Sequence, residues 1–260
     1  MTIDEALAAG TAQVGRRLAM LLLCNALDKD SAYVMLHGEK LVENFDTYQL
    51  MLNQVEGGHP VQYVLGTWGF MQHKLTVDDR ALIPRPETEL LVEAVLSHGI
   101  QGKKVLDMCT GSGCIAISLA ASARCCVTAT DISTSALELA QHNGAGFNIR
   151  FIHSNLFENV EGMFDIIVSN PPYITTAEMQ QLDPVVRNYE PHLALHGGAD
   201  GMDIYRKLIP QAFSRLHPGG MLFVEIGPRN VEDIFVQAGF RDIVVQQDYA
   251  GLDRIIYGVR

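Results

Sequence analysis

The sequence predicts an α/β protein, a mostly parallel sheet with helices on both faces behind a small helical segment. Three observations predict it. Apolar residues recur at helical spacing from Thr2 to about Gln54, strand and helix patterns alternate from Pro84 onward, and the glycine-rich turn Thr110-Gly111-Ser112-Gly113 falls between a strand and a helix. With 260 residues, 48% of them hydrophobic, the chain can form one large domain plus a small companion.

In the amino-terminal segment Leu18, Leu21 and Leu22, then Met35 and Leu36, mark apolar helix faces, with turn signals around residues 28–31 and at Gly38. Arg16-Arg17 and the apolar run 18–24 have the outline of a signal peptide. Asp4 and Glu5 precede it, Asn25 and Asp28 interrupt it, and it is far too short to span a bilayer, so a core helix is expected. Gly57-Gly58-His59-Pro60 ends the helical pattern, and residues 61–77 are aromatic and β-branched with Gly66 and Gly69, which predicts short strands or a hairpin. The expected division is a helical domain over residues 1–66, a hairpin-like linker over 67–84 and an α/β domain over 85–260.

Within the last, the patterns predict a helix over residues 87–96, a strand over 104–107, a helix from Gly113, a strand over 125–131 and a helix from Ser133. Further strands are expected near residues 149–152, 164–169, 221–226, 243–246 and 254–257. Repeated βα units of this kind bind ligands at the carboxyl ends of their strands.

The charge balance narrows the partners. Nineteen Lys and Arg against 30 Asp and Glu give a net charge of −11, which disfavours phosphate-backbone binding driven by counterion release and favours a protein or small-molecule substrate. Cys24, Cys109, Cys114, Cys125 and Cys126 show no paired metal half-sites and read as free thiols in a reducing cytoplasm, with Cys125 and Cys126 in a buried strand. The nine histidines form no ligand spacing, so no metal is assigned.

Two constellations carry chemistry. In the first, Val105-Leu106-Asp107 ends a strand and the glycine turn follows, while Asp131 ends the next strand, where a carboxylate can accept hydrogen bonds from ribose hydroxyls. Together they point to an adenosine-type nucleotide. The bland alternative is a tight strand-to-helix connection with Asp131 capping the helix at Ser133. Cys109 stands where a glycine is usual in D-x-G-x-G-x-G, and a cysteine there is expected to need φ below zero.

In the second, the apolar strand 164–169 runs into Asn170-Pro171-Pro172-Tyr173. Neither proline has an N–H, so the turn presents rigid carbonyl acceptors without competing donors, and Asn170 adds a side-chain carbonyl. Such a set can hold both hydrogens of an NH₂ group, with the Tyr173 ring stacked on the planar group. The bland alternative is a strand end with Asn170 bonded to backbone and Tyr173 in the core.

These motifs, with Ile83-Pro84-Arg85-Pro86-Glu87-Thr88-Glu89, Tyr189-Glu190-Pro191, Gly197-Gly198-Ala199-Asp200-Gly201, Glu225-Ile226-Gly227 and Asp248 with Gly251-Leu252-Asp253-Arg254, resemble the glutamine N5-methyltransferases of peptide-chain release factors, the PrmC or HemK family. N-P-P-Y alone is shared with adenine methyltransferases; the ensemble is far more specific. The linker is similar to the release-factor enzymes rather than to those acting on a ribosomal protein.

The resemblance implies a Rossmann-like class I methyltransferase sheet, S-adenosyl-L-methionine as cofactor, and the glutamine of the Gly-Gly-Gln motif of class I release factors as acceptor. It implies no direct nucleic-acid or membrane partner and a cytoplasmic setting. Carried onto matching positions, Cys109, Thr110, Gly111, Ser112, Gly113, Asp131 and Asn170 contact the cofactor, Leu156 lies against the adenine, and Asn170, Pro171, Pro172 and Tyr173 hold the glutamine amide. Asn155 stands where aspartate is usual and still offers a carbonyl to an adenine amino group, without charge assistance. Asn230 replaces a commoner glutamine. Arg85 has two open readings, guiding a carboxylate or pairing with Glu87 or Glu89; Glu225 is expected to be a structural hydrogen-bond acceptor rather than a catalytic acid. An adenine methyltransferase and a silent scaffold of the same fold are the competing functions.

Overall fold

The computed structural model describes residues 1–260 and divides into two compact units, one of residues 1–67 with 183–189, the other of residues 68–182 with 190–260.

The first unit is helical: α1 (Ile3–Val14), α2 (Arg16–Leu27), α3 (Ser31–Leu36), α4 (Phe45–Glu56) and α5 (Val61–Leu65). Helix α1 begins with a reciprocal capping box between Thr2 and Glu5, which satisfies two amide donors that the first turn leaves open. The run after Arg16-Arg17 is a core helix, with Leu22 and Leu23 fully buried. Ile3, Val34, Tyr48 and Leu52 complete this core. Gly10 is required there, because a Cβ would lie 2.0 Å from the Tyr48 hydroxyl.

Residues 61–65 are a helical turn rather than the expected strand. Val61, Val64 and Leu65 sit at helical spacing and pack on the same core, which overrides their β preference, and Gly66 at φ 70° closes the turn. The hairpin expected in this stretch is confined to β1 (Thr67–Phe70) and β2 (His73–Thr76), which form a two-stranded sheet.

The second unit continues with α6 (Pro86–Ser97), β3 (Lys104–Met108), α7 (Cys114–Ser122), β4 (Cys126–Asp131), α8 (Thr134–Asn143), β5 (Ile149–His153) and β6 (Phe164–Ser169). Three short helices follow, α9 (Thr176–Met179), α10 (Pro184–Tyr189) and α11 (His192–Leu195), of which α10 belongs to the first unit. The chain ends with α12 (Asp203–Arg215), β7 (Leu216–Glu225), α13 (Glu232–Ala238), β8 (Arg241–Gln247) and β9 (Asp253–Val259). No helix is long and apolar enough to cross a membrane.

Strands β3 to β9 form a seven-stranded sheet in the order β5-β4-β3-β6-β7-β9-β8, parallel except for β9, which runs antiparallel to both neighbours. One layer of core places Leu91, Val95, Ile115 and Leu119 of α6 and α7 against Val105 and Ile166; the other places Tyr205, Leu208 and Phe235 of α12 and α13 against Leu106, Ile167 and Leu222. Each such side chain contributes about 1.5–3 kcal/mol through removal from water. Cys126, expected in a buried strand, is exposed because it opens β4, and burial begins at Val127.

Candidate active site

The strand order fixes where a ligand can sit. Strand β3 has β4 on one side and β6 on the other, so chain direction across the sheet reverses there, and a crevice opens at the carboxyl ends. The register pairs Met108 with Thr130 and with Ser169, which sets the segment after β3 between Asp131 and Asn170. A cavity at this point is lined by Cys109 to Ser112, Asp131, Asn155, Leu156, Asn170 and Pro172, together with Arg85 and Thr88.

The glycine turn is held from beneath. Asp107, fully buried, accepts from the Thr110 hydroxyl (2.5 Å) and the Ala116 amide (3.1 Å) through one oxygen, while its other oxygen has no partner. Burial raises its carboxyl to about 7. Asn143 bonds the Ser112 carbonyl (3.0 Å) and both backbone groups of Thr76, tying the turn to β2. Gly111 takes φ 56° and a Cβ there would meet nothing within 4 Å; Gly113 takes φ 84° and packs against Ala140 of α8. The first glycine thus leaves backbone open to a ligand, and the second lets the helix approach.

Cys109 adopts φ 61°, against the expectation of a negative value. The position keeps a glycine conformation although it carries a Cβ, which costs about 1–2 kcal/mol. Leu156, at φ 49°, is a second left-handed residue on the cavity wall, and the buried Ser154 hydroxyl bonds its carbonyl (2.6 Å).

Both carboxylate oxygens of Asp131 are engaged, one by the Gly111 amide and one by the Ser133 amide, each at 2.9 Å. The helix start therefore does use Asp131, although Ser133 caps α8 with its own hydroxyl. Each oxygen keeps a further lone pair on the cavity side of the sheet end. Burial raises this carboxyl as well. The Asn155 amide nitrogen donates to Glu158 (2.8 Å), which leaves its oxygen as the free end.

On the other side of the cavity the Asn170 amide nitrogen donates to the Thr88 hydroxyl (3.1 Å), and that hydroxyl donates to Glu225 (2.7 Å). Glu225 is an acceptor, as its sequence reading has it; burial raises its carboxyl to about 7. The backbone carbonyls of Asn170, Pro171 and Pro172 accept no hydrogen bond from the protein. Pro171 is buried and does not line the cavity. The Tyr173 side chain does not line it either: it packs into the core beside Gly227, faces Arg254, and burial pushes its hydroxyl up to about 12.

Arg85 pairs with neither Glu87 nor Glu89. It reaches Glu190 at 2.5 Å, and Glu190, 4% exposed, also accepts from the Ile83 amide at 3.1 Å. Glu89 instead accepts from the Met71 amide. Helical spacing suggested the near partners; the observed one lies 105 positions away and is already buried, so its charge needs the guanidinium. Asn230 donates to Asp233 at the start of α13 (2.8 Å).

The glycines 197 and 201 enclose the acceptor turn. A Cβ on Gly197 would lie 2.7 Å from the Pro172 carbonyl oxygen, and one on Gly201 would lie 2.3 Å from that of Tyr173. The Ile174 amide bonds the Leu195 carbonyl and the Gly197 amide bonds the Ile174 carbonyl, both at 2.8 Å, so the loop is stitched onto the turn. Thr88, Glu190 and Asn143 were not singled out for these contacts by sequence; only the presence of the first two within named motifs marked them.

A family model for the PrmC N-terminal domain matches residues 5–66, and one for the methyltransferase small domain matches residues 86–197. A release factor glutamine methyltransferase from Geobacter sulfurreducens is 43% identical over 206 residues, 76% of this chain and 72% of its own. The protein of the same name from Thermodesulfovibrio yellowstonii is 36% identical over 253 residues, 92% of this chain and 91% of its own. A methyltransferase structure from Pyrococcus furiosus superposes with a TM-score of 0.55 at 21% identity, covering 71% of this chain and 87% of that one, which speaks for the fold alone. Identity at this level along almost the whole chain, with an amino-terminal match as well as a catalytic one, decides the question of kinship: the chain belongs to the release factor glutamine methyltransferase family.

Proposed function

We propose that the protein transfers a methyl group from S-adenosyl-L-methionine to the side-chain amide nitrogen of the glutamine in the Gly-Gly-Gln motif of class I peptide-chain release factors. The observation that carries this reading is the meeting, at the ends of three adjacent strands, of an open glycine backbone (Gly111), a carboxylate (Asp131) and an outward amide oxygen (Asn170).

The residues fit the cofactor. Gly111 offers a cradle that a side chain would fill, Asp131 offers lone pairs to ribose hydroxyls, and Leu156 with Ile132 offers apolar walls to an adenine. Asn155 turns its free oxygen outward for an amino group. Bound there, S-adenosyl-L-methionine supplies an electrophilic methyl on a sulfonium.

The work of the chain is on the acceptor. A carboxamide nitrogen is a poor nucleophile because its lone pair is delocalised. Asn170 Oδ1 and the unpaired carbonyls of the proline turn accept the two amide hydrogens and aim the nitrogen for in-line attack. As the new carbon–nitrogen bond forms at the expense of the methyl's bond to the sulfonium sulfur, positive charge grows on nitrogen and these acceptors bind more tightly, which favours the transition state over the ground state. One of the two held hydrogens then leaves to water as a proton, giving the neutral N-methyl amide beside a thioether. Tyr173 supports the turn from the core side, where its ring lies against Gly227.

The helical amino-terminal domain, residues 1–66, helps recognise the release factor, and the reaction runs in the cytoplasm, a setting consistent with five free cysteines. Incubation with labelled cofactor, followed by mass spectrometry of the Gly-Gly-Gln peptide, tests the reading. One methyl on the glutamine is expected; label in duplex DNA with none in the release factor overturns it in favour of adenine methylation.

A further inference from the structure

We propose that Thr88 and Glu225 are positioning residues that fix which end of the Asn170 amide faces the acceptor. The proposal rests on the glutamine-methylating reading above and names what orients its key side chain.

The two ends of an asparagine amide are nearly the same size, and packing alone does not choose between them. Chemistry does. With the oxygen toward the substrate, Asn170 accepts a hydrogen from the incoming NH₂; with the nitrogen toward it, donor meets donor and the acceptor is repelled. Something must therefore break the tie, and the two groups behind Asn170, Thr88 and Glu225, do so.

They are brought together by three elements. Asn170 follows β6, Glu225 ends β7, and the pairing of Ser169 with Val224 sets the two level with each other. Thr88 comes from the first turn of α6 and stands between them. Thr88 and Glu225 are each 2% exposed, so water does not compete for these bonds. The Tyr205 hydroxyl, on the Glu225 backbone carbonyl at 3.0 Å, holds the strand end in place.

Direction then passes along the chain of bonds. An ionised carboxylate accepts only, so the single Thr88 proton goes to Glu225 at 2.7 Å. The Thr88 oxygen is left as an acceptor, and it takes the Asn170 nitrogen at 3.1 Å. The oxygen of Asn170 is thereby turned to the cavity. Neither Thr88 nor Glu225 needs to touch the reacting atoms for this.

Thr88→Val keeps shape and removes the hydroxyl; Thr88→Ser keeps the hydroxyl. With the Gly-Gly-Gln peptide as acceptor, Thr88→Val is expected to lower kcat by about 10–100-fold, the range typical of partners that orient an active-site ligand. The peptide KM and the calorimetric affinity for S-adenosyl-L-methionine are expected to change less than about threefold, and Thr88→Ser to recover kcat to within about threefold of wild type. A merely structural role would not separate Ser from Val. Thr88→Val as fast as wild type, or Thr88→Ser as slow as Thr88→Val, overturns the proposal; Thr88→Ala replaces Thr88→Val if thermal melting shows the latter unfolded. A wild-type protein that leaves glutamine unmethylated overturns the functional reading itself, which the same assay reports separately.

Discussion

Gly201 sits so close to Tyr173 that a side chain and the Tyr173 carbonyl oxygen would occupy the same space: a Cβ would lie 2.3 Å from that oxygen. Gly201 also takes φ 75°. Gly201→Ala therefore carries left-handed strain of about 1–2 kcal/mol and overpacking of about 1–3 kcal/mol. Chemical denaturation is expected to show a loss of roughly 2–5 kcal/mol, with turnover reduced because the displaced backbone is that of the acceptor turn. An unchanged denaturation midpoint would refute the close approach.

Cys109 tests the opposite case, a side chain tolerated where glycine is the easier choice. Cys109→Gly relieves about 1–2 kcal/mol of backbone strain, which offsets the packing of the half-buried thiol it removes, so stability near that of wild type is expected. Cys109→Val adds a β-branched side chain at φ 61° and is expected to be clearly the less stable of the two. Equal midpoints for the two variants would show that the conformation there is not left-handed in solution.

Asp131 and Asn170 should separate binding from chemistry. Asp131→Ala removes charge-assisted acceptors worth about 1.5–3 kcal/mol, an expected weakening of S-adenosyl-L-methionine affinity by about 10–100-fold in calorimetry. Asn170→Ala is expected to leave that affinity nearly intact while turnover falls by about two to three orders of magnitude. Unaltered affinity in the first, or unaltered turnover in the second, contradicts the role given to that residue.

Burial raises Glu225 to about 7, so its ionised, accept-only form grows as pH rises through that value. Since the ionised form directs the Thr88 proton away from Asn170, kcat is expected to climb with pH across 7 and to level off above it. The groups facing Glu225 are Thr88 and Glu87 on α6, Cys114 on α7, Asn170 and Tyr173 after β6, Tyr205 on α12 and Arg254 on β9. Of these, burial raises Tyr173 and Cys114 to about 12. Glu225→Gln can still accept through its amide oxygen and cannot ionise, so its profile should lose the part of the slope that Glu225 supplies and keep only what Asp107, raised to about 7 beneath the glycine turn, contributes; a slope equal to that of wild type would sink this account.

The parts of the fold that were legible in sequence are those written in local pattern. Strands β3 and β6 read clearly because apolar runs such as Ile166, Ile167 and Val168 are buried on both faces, and the turns after these two strands carry glycine or proline. Helix α12 was not anticipated: Pro210 lies inside it, and Tyr205, Leu208, Ile209 and Ala212 bury one face despite that interruption. The antiparallel run of β9 depends on pairing with Phe223 and Val245, partners that no local pattern names. In the site, N-P-P-Y and the glycine turn stood out because their chemistry is in neighbouring residues. Thr88 and Glu225 are 137 positions apart, and Arg85 and Glu190 are 105 apart, so their meeting is a property of the folded sheet. The φ of 61° at Cys109 is hidden from local pattern for a related reason: the surrounding structure holds its backbone where its own side chain would not go.

The carbonyls of Pro171 and Pro172 find no donor within the protein. Pro172 lines the cavity, so whatever settles against its carbonyl has to bring hydrogens of its own. A glutamine that has lost its amide nitrogen to hydrolysis arrives as an anion, oxygen against oxygen, and competition between intact and deamidated peptides should show the second excluded. The acceptor turn would then act as a checkpoint on chemical damage, passing over a termination factor whose essential side chain has already aged.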